Sequence, residues 1–160
     1  MKVFIENEAG SPVKHNHNEK TLVLESTTTV SRPFLFPYGF VLNTTADDGD
    51  NVDCYVLTGR KLRTGDIVEC EAVGLMEQVE DGEIDHKVFA RLVGEPGILL
   101  DEGRKAAFAD FAEHVFEHIP GKKMEVGRFL DRDAALEYVK QHEDKPAQCA
   151  GKNGLFQIDR

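Results

Sequence analysis

A chain of 160 residues is long enough for one full hydrophobic core, so a single domain is expected. Its 41% hydrophobic and 30% charged content is that of a soluble globule, and no run approaches the roughly 18 apolar residues of a membrane span, so no membrane partner is expected. A formal net charge of −10 lacks the basic face that nucleic acid requires, but a small anionic substrate stays open, because bound cations can invert a local field.

In chain order, Val3-Phe4-Ile5 reads as a first strand ending at Glu6, and Ala9-Gly10-Ser11-Pro12 as a turn. Val13 to His17 follows, and His15 and His17 read as surface histidines, since no third His or Cys stands nearby to complete a zinc site. Thr21 to Glu25 is β-type and Ser26 to Val30 extended. Two prolines in Arg32-Pro33-Phe34-Leu35-Phe36-Pro37 rule out a central strand there, while Tyr38 beside Gly39 can present its hydroxyl to a site. Cys54 to Leu57, Ile67 to Val73 and Val88 to Val93 are strands. From Asp101 to His118 the apolar residues Phe108, Phe111, Ala112, Val115 and Phe116 fall at helical spacing, with Asp101 and Glu102 at the start and His114 and His118 at the end. Pro120-Gly121 stops that helix. Met124 to Phe129 is a strand, and Asp131 to His142 a second helix with Asp131 or Asp133 as N-cap and Leu136 and Val139 buried. The domain is expected to span 1–142, with a loosely held polar tail over 143–160. Cys54, Cys70 and Cys149 are odd in number and lack Cys-x-x-Cys spacing, so they read as reduced thiols. With no signal-peptide core at Met1 to Glu6, a cytoplasmic setting is expected. Many short strands followed by two helices imply an α+β fold, a small barrel or strongly curved sheet with helices outside.

Two stretches carry the chemistry. Asp47-Asp48-Gly49-Asp50-Asn51-Val52-Asp53 packs carboxylates around a Gly turn directly before a strand. Asp48, Asp50 and Asp53 are oxygen donors that repel one another unless a hard cation such as Mg²⁺ sits between them. An EF-hand is excluded, because counting from Asp48 puts Asp53 where Gly is needed and Gly59 where Glu is needed. Glu80-Asp81-Gly82-Glu83-Ile84-Asp85-His86-Lys87 repeats the pattern before a second apolar run and adds a cation. Two acid-rich turns and a lysine suit several metals and a phosphorylated ligand.

These motifs resemble those of the family I soluble inorganic pyrophosphatases. Asp48-Gly49-Asp50-Asn51-Val52-Asp53 is similar to the family's Asp-x-Asp-Pro-x-Asp signature, with Asn51 in place of Pro. Pro37-Tyr38-Gly39-Phe40 resembles its Tyr-Gly element, and Glu80 to Lys87 its Gly-Glu-x-Asp-x-Lys turn. The resemblance, over roughly 3–140, implies a five-stranded OB-like β-barrel with flanking helices, Mg²⁺ as cofactor, pyrophosphate as substrate and a homo-oligomer, commonly a hexamer. It implies Asp48, Asp53 and Asp85 as ligands of the metals that activate water, Asp50 as general base, and Glu6 and Glu80 as further metal ligands. Lys14, Tyr38 and Lys87 are implied as phosphate ligands.

Several family groups are replaced. The Lys-x-Glu triplet becomes Lys14-His15-Asn16, the phosphate-binding Arg falls on Ser26, the second tyrosine on Phe34 and the Tyr-Lys pair on Ile119-Pro120. Loss of one such donor typically costs about a hundredfold to a thousandfold in rate. Arg32 is the first candidate to compensate as a phosphate ligand, with Lys122, Lys123 and Arg128 behind it. Four readings stay open at this point: a pyrophosphatase, a same-fold hydrolase whose less closed site admits an organic phosphoanhydride or phosphoester, a non-catalytic metal- or phosphate-binding module or assembly partner, and an acidic β-domain with no metal site.

Overall fold

The computed structural model describes residues 1–145, and β1 (Lys2–Asn7) is the strand that opens and closes its main sheet. β1 pairs antiparallel with β4 (Tyr38–Val41), which pairs with β5 (Asp53–Val56). β5 runs parallel to β8 (Lys87–Leu92), β8 pairs with the long β6 (Ile67–Glu80), and β6 returns to β1 through Lys2↔Glu69 and Val3↔Val68. These five strands form a closed ring, the expected OB-like barrel. The short β7 (Glu83–Ile84) and β9 (Met124–Leu130) extend the far end of β6. β2 (Val13–His17) and β3 (Leu24–Thr29) form a separate hairpin.

Period-two alternation splits the ring strands between two cores. Val3, Ile5, Cys54, Val56, Val88 and Ala90 belong to one cluster, fed by all five ring strands and by Ala135 and Val139 of α2 (Arg132–Gln141). The alternate residues Tyr55, Leu57 and Phe89 face outward and pack with Phe108 and Phe111 of α1 (Glu102–His114). β5 and β8 are thus buried on both faces, which is why their sequences are continuous apolar runs. Gly39 lets β4 approach β1: a Cβ there would lie 1.8 Å from the Phe4 carbonyl oxygen.

Both helices carry the expected acidic caps. Asp101 accepts from the Arg104 N–H at 2.9 Å and Asp131 from the Ala134 N–H at 3.0 Å. Four local expectations need correction. α1 ends at His114, and Val115 to His118 continue as turns. In α2 it is Ala135, not Leu136, that is buried beside Val139; Leu136 is exposed. β3 starts at Leu24 because Asn18 accepts from the Lys20 and Thr21 N–H groups, holding Thr21 to Val23 in the hairpin turn. Glu143 and Asp144 are tied down, through a Thr44↔Glu143 bridge and an Asp144 N–H bond to the Asn43 carbonyl. The expected loose tail and Cys149 otherwise lie outside the described residues. Cys54 and Cys70 are buried free thiols. Among the described residues, no helix is long and apolar enough to cross a membrane.

Candidate active site

The parallel pairing of β5 with β8 brings the two acidic turns together. Asp53 opens β5, Lys87 opens β8, and the two are register partners. Everything immediately upstream of each strand therefore converges on one end of the barrel, at a cleft of about 540 Å³. In the first turn Gly49 takes φ +90°, which a side chain would resist, and Asp48 accepts from the Asp50 N–H at 3.0 Å. Asn51, in the place of the family proline, anchors this turn. Its N–H donates to Glu19 at 2.8 Å, its side-chain oxygen accepts from the Lys20 ammonium at 2.7 Å, and its amide nitrogen donates to the Val41 carbonyl at 3.0 Å.

Lys87 is the electrostatic centre. It is buried, and its ammonium donates to Asp53 at 2.6 Å, to Asp85 at 3.0 Å and to the Tyr38 hydroxyl at 3.0 Å. An ammonium has three protons, so all three are engaged. Lys87 thus neutralises part of the cleft floor and orients the Tyr38 hydroxyl, which accepts from it. Burial favours a neutral Lys87, but Asp53, Tyr38 and Asp85 hold its ammonium form well above the ordinary range. Burial pushes the Tyr38 hydroxyl up, and the Asp53 charge adds to this.

One lysine does not balance the acids. Asp53 is lifted by burial but held low by Lys87, and so stays ionised. Asp85 is pushed up to about 8 by burial, with the Asp53 charge adding to it. Burial, with the charges of Asp53 and Asp50, also takes Glu19 to about 8. Asp48 and Asp50 are raised by burial and by Asp53. Among the described residues no three Asp, Glu, His or Cys side chains already stand close enough to grip an ion. The donor set nevertheless fits a hard divalent cation: the carboxylates facing the cleft offer only oxygen, and Glu19, Asp48, Asp50 and Asp85 are raised by burial with the Asp53 charge adding to it.

Of the site residues expected from sequence, Asp48, Asp50, Asp53, Glu80, Asp85, Lys14, Tyr38 and Lys87 all line this cleft. Glu6 does not: its buried carboxylate binds the Lys14 ammonium at 3.3 Å and the His17 N–H at 2.8 Å. His17 is accordingly buried against Glu6, not a surface histidine. Arg32 is also placed elsewhere, paired with Asp110 of α1 away from the cleft lining. Lys123 faces Glu125 and Arg128 faces Glu77, whereas Lys122 lines the cleft, beside Glu80. Glu19 and Gln78 line the cleft too and escaped the sequence analysis. Glu19 lies in a turn whose contact with Asn51 spans 32 residues, and no local signal marks it.

Residues 3–145 match the family model described as inorganic pyrophosphatase. The chain belongs to the inorganic pyrophosphatase family. Among relatives named inorganic pyrophosphatase, that of Nanoarchaeum equitans is 28% identical over 88% of this chain and 94% of its own. That of Thermoplasma volcanium is 30% identical over 80% of this chain and 79% of its own. The crystal structure of the Thermus thermophilus inorganic pyrophosphatase superposes with a TM-score of 0.79 at 28% identity, covering 88% of this chain and 87% of the other. Of the positions that the resemblance marks as replaced, Phe34 and Ile119 line the cleft and Ser26 does not. Phe34 is buried and stacked 5.3 Å from Tyr38, and Ile119 is half-buried in the cleft wall. Ser26 accepts from the Asn16 amide on the β2–β3 hairpin.

Proposed function

We propose that this chain hydrolyses inorganic pyrophosphate to two phosphates, with Mg²⁺ as cofactor. The observation that carries the reading is the convergence of both acidic turns and three lysines, Lys14, Lys87 and Lys122, on one cleft in a chain of this family. Asp48, Asp53 and Asp85 would hold the cations, with Glu80 beside them. When bound, Mg²⁺ supplies positive charge against the phosphoryl oxygens and acidifies nearby water. Asp50 is the general base: it is exposed at the cleft mouth, and partial burial with the Asp53 charge raises its proton affinity above that of an ordinary carboxylate. The Tyr38 hydroxyl donates to a phosphate oxygen while Lys87 fixes its direction. Lys14 and Lys122 neutralise charge on the departing phosphate. Family membership supports a homo-oligomer, and the odd cysteine count without Cys-x-x-Cys spacing supports a cytoplasmic setting.

The test is phosphate release from pyrophosphate with Mg²⁺ and with chelator, in the parent and in Asp50→Asn. The variant is expected to lose about a hundredfold or more in rate, with metal binding by calorimetry retained. Full activity in Asp50→Asn would remove the proposed base.

A further inference from the structure

The cleft has two unlike halves. The acidic floor with its lysines is one. The other is a wall of Phe34, Ile84, Phe111, Phe116, Ile119 and Met124. Phe116, Ile119 and Met124 are only half-buried and Ile84 is exposed, so this apolar surface is open to whatever enters. Two of its members, Phe34 and Ile119, stand where the family resemblance would put polar groups for the second phosphate. A bare pyrophosphate ion gains nothing from such a wall, since its oxygens lose water there without a donor in return. The cleft volume of about 540 Å³ falls in the range of sites that bury organic molecules.

A second observation gives the ligand a polar feature. Gln78 stands two residues before Glu80 on β6, hence on the same strand face, and lines the cleft. It is 2% exposed, and its Oε1 has no hydrogen-bond partner among the described residues. A buried amide oxygen without a donor is costly to keep. An aliphatic ligand would cover the phenyl rings and leave that oxygen bare. A flat heterocycle carrying an N–H satisfies both.

We propose that the cleft accepts diphosphate monoesters of the nucleoside 5′-diphosphate class, the terminal phosphate over the acidic floor and the base against the wall of Phe116 and Ile119. Lys122 marks the seam, its ammonium 5.6 Å from the Phe116 ring centre and paired with Glu80, where the ester-bearing phosphate passes from one half to the other. The reaction is the one proposed above, on which this inference rests. The water oxygen bonds to the terminal phosphorus, the bridging P–O bond breaks, and its electron pair stays on the bridging oxygen. The products are phosphate and a nucleoside monophosphate, with the water's surplus proton passing through Asp50 to solvent.

The test compares two non-hydrolysable probes in Mg²⁺, the methylene-bridged analogue of adenosine diphosphate and bare methylenediphosphonate. Both are measured by calorimetry and by competition against pyrophosphate hydrolysis, with release of phosphate from adenosine diphosphate alongside. Stacking of one base predicts about tenfold tighter binding of the adenosine probe. Ile84→Ser and Ile119→Ser, both at solvent-accessible positions, are expected to bring that ratio towards one. Gln78→Met is expected to weaken the adenosine probe but not its purine riboside counterpart, which lacks the amino group. Equal or weaker binding of the adenosine probe, with pyrophosphate still hydrolysed, overturns this inference and leaves the pyrophosphatase reading standing. Tight adenosine binding that neither Ile variant alters overturns the assigned wall. Turnover of adenosine diphosphate without turnover of pyrophosphate upholds the inference and overturns the simpler reading, while failure of both probes and both substrates overturns both.

Discussion

Replacing Lys87 by methionine removes one ammonium from the centre of the cleft and keeps the length of the side chain. The group it leaves behind is a pair of carboxylates. Asp53 and Asp85, which stood 2.6 and 3.0 Å from the ammonium, are both largely buried. Removing one partner of a buried ion pair costs about 3–5 kcal/mol, and two stranded carboxylates place this variant towards the upper end. That is a large share of the roughly 5–15 kcal/mol of a whole domain. The loss depends on pH with a definite sign. Asp85 binds its proton up to about pH 8, so at pH 5 it is neutral with or without Lys87, and Asp53, no longer held low by the ammonium, is relieved by protonation as the pH falls. The penalty is therefore largest above pH 8 and falls as the pH is lowered to 5. Urea unfolding followed by circular dichroism in chelator measures it. With a slope of about 1–3 kcal/mol per molar urea, the midpoint is expected to drop by about 2 M at high pH. Saturating Mg²⁺ is expected to return part of the loss, since a divalent cation neutralises the same two carboxylates. A loss below about 1 kcal/mol, or an equal loss at pH 5 and above pH 8, would refute the assignment of Lys87 as the counter-charge.

Further outcomes follow from the same geometry. Glu19 and Asp85 keep their protons in the fold to about pH 8, far above their ordinary values, so the stability they contribute is present at low pH. The metal-free protein is expected to lose stability progressively as pH rises from about 4 to about 8, and Mg²⁺ binding is expected to strengthen over that window and to release protons. A flat profile, or calorimetric heats independent of the buffer's ionisation enthalpy, would contradict this. Arg32→Ala is expected to leave phosphate release within about twofold, because its partner is Asp110 on α1, whereas Lys122→Ala is expected to lower it about tenfold or more. The reverse order would restore Arg32 to the site. Gly39→Ala would force a Cβ to 1.8 Å from the Phe4 carbonyl oxygen. The strands must separate, so a loss of at least about 3 kcal/mol in unfolding free energy is expected, and a wild-type midpoint would mean that β1 and β4 have more slack than they show.

Much of the architecture was legible because it is written in local patterns. Alternation marked the ring strands, Asp101 and Asp131 marked the helix starts, and the two Gly-centred acidic turns marked the cleft. The features that escaped depend on contacts between distant residues. Arg32 and Lys122 are both surface-type cations in sequence. Only the placement of α1 decides that Arg32 meets Asp110 while Lys122 reaches Glu80. Glu6 reads locally as an ordinary strand-end charge and the resemblance implies a metal ligand there, but the β2–β3 hairpin lies over it and takes its oxygens with Lys14 and His17. Glu19 and Gln78 carry no motif at all. Each acquires meaning through burial, one by bonding Asn51 and the other by failing to find a donor.

The return of β6 to β1 has a consequence for how the chain reaches this state. Lys2 and its neighbour Glu69 are separated by 67 residues, so the ring cannot close from local contacts. During synthesis β1 and β4 can meet early, but one edge of β1 waits, unpaired and apolar, until β6 has left the ribosome. Sheets assembled from such distant segments fold in about milliseconds to seconds. In that interval the edge of Val3, Phe4 and Ile5 carries unpaired backbone donors and acceptors, a template for pairing with another chain.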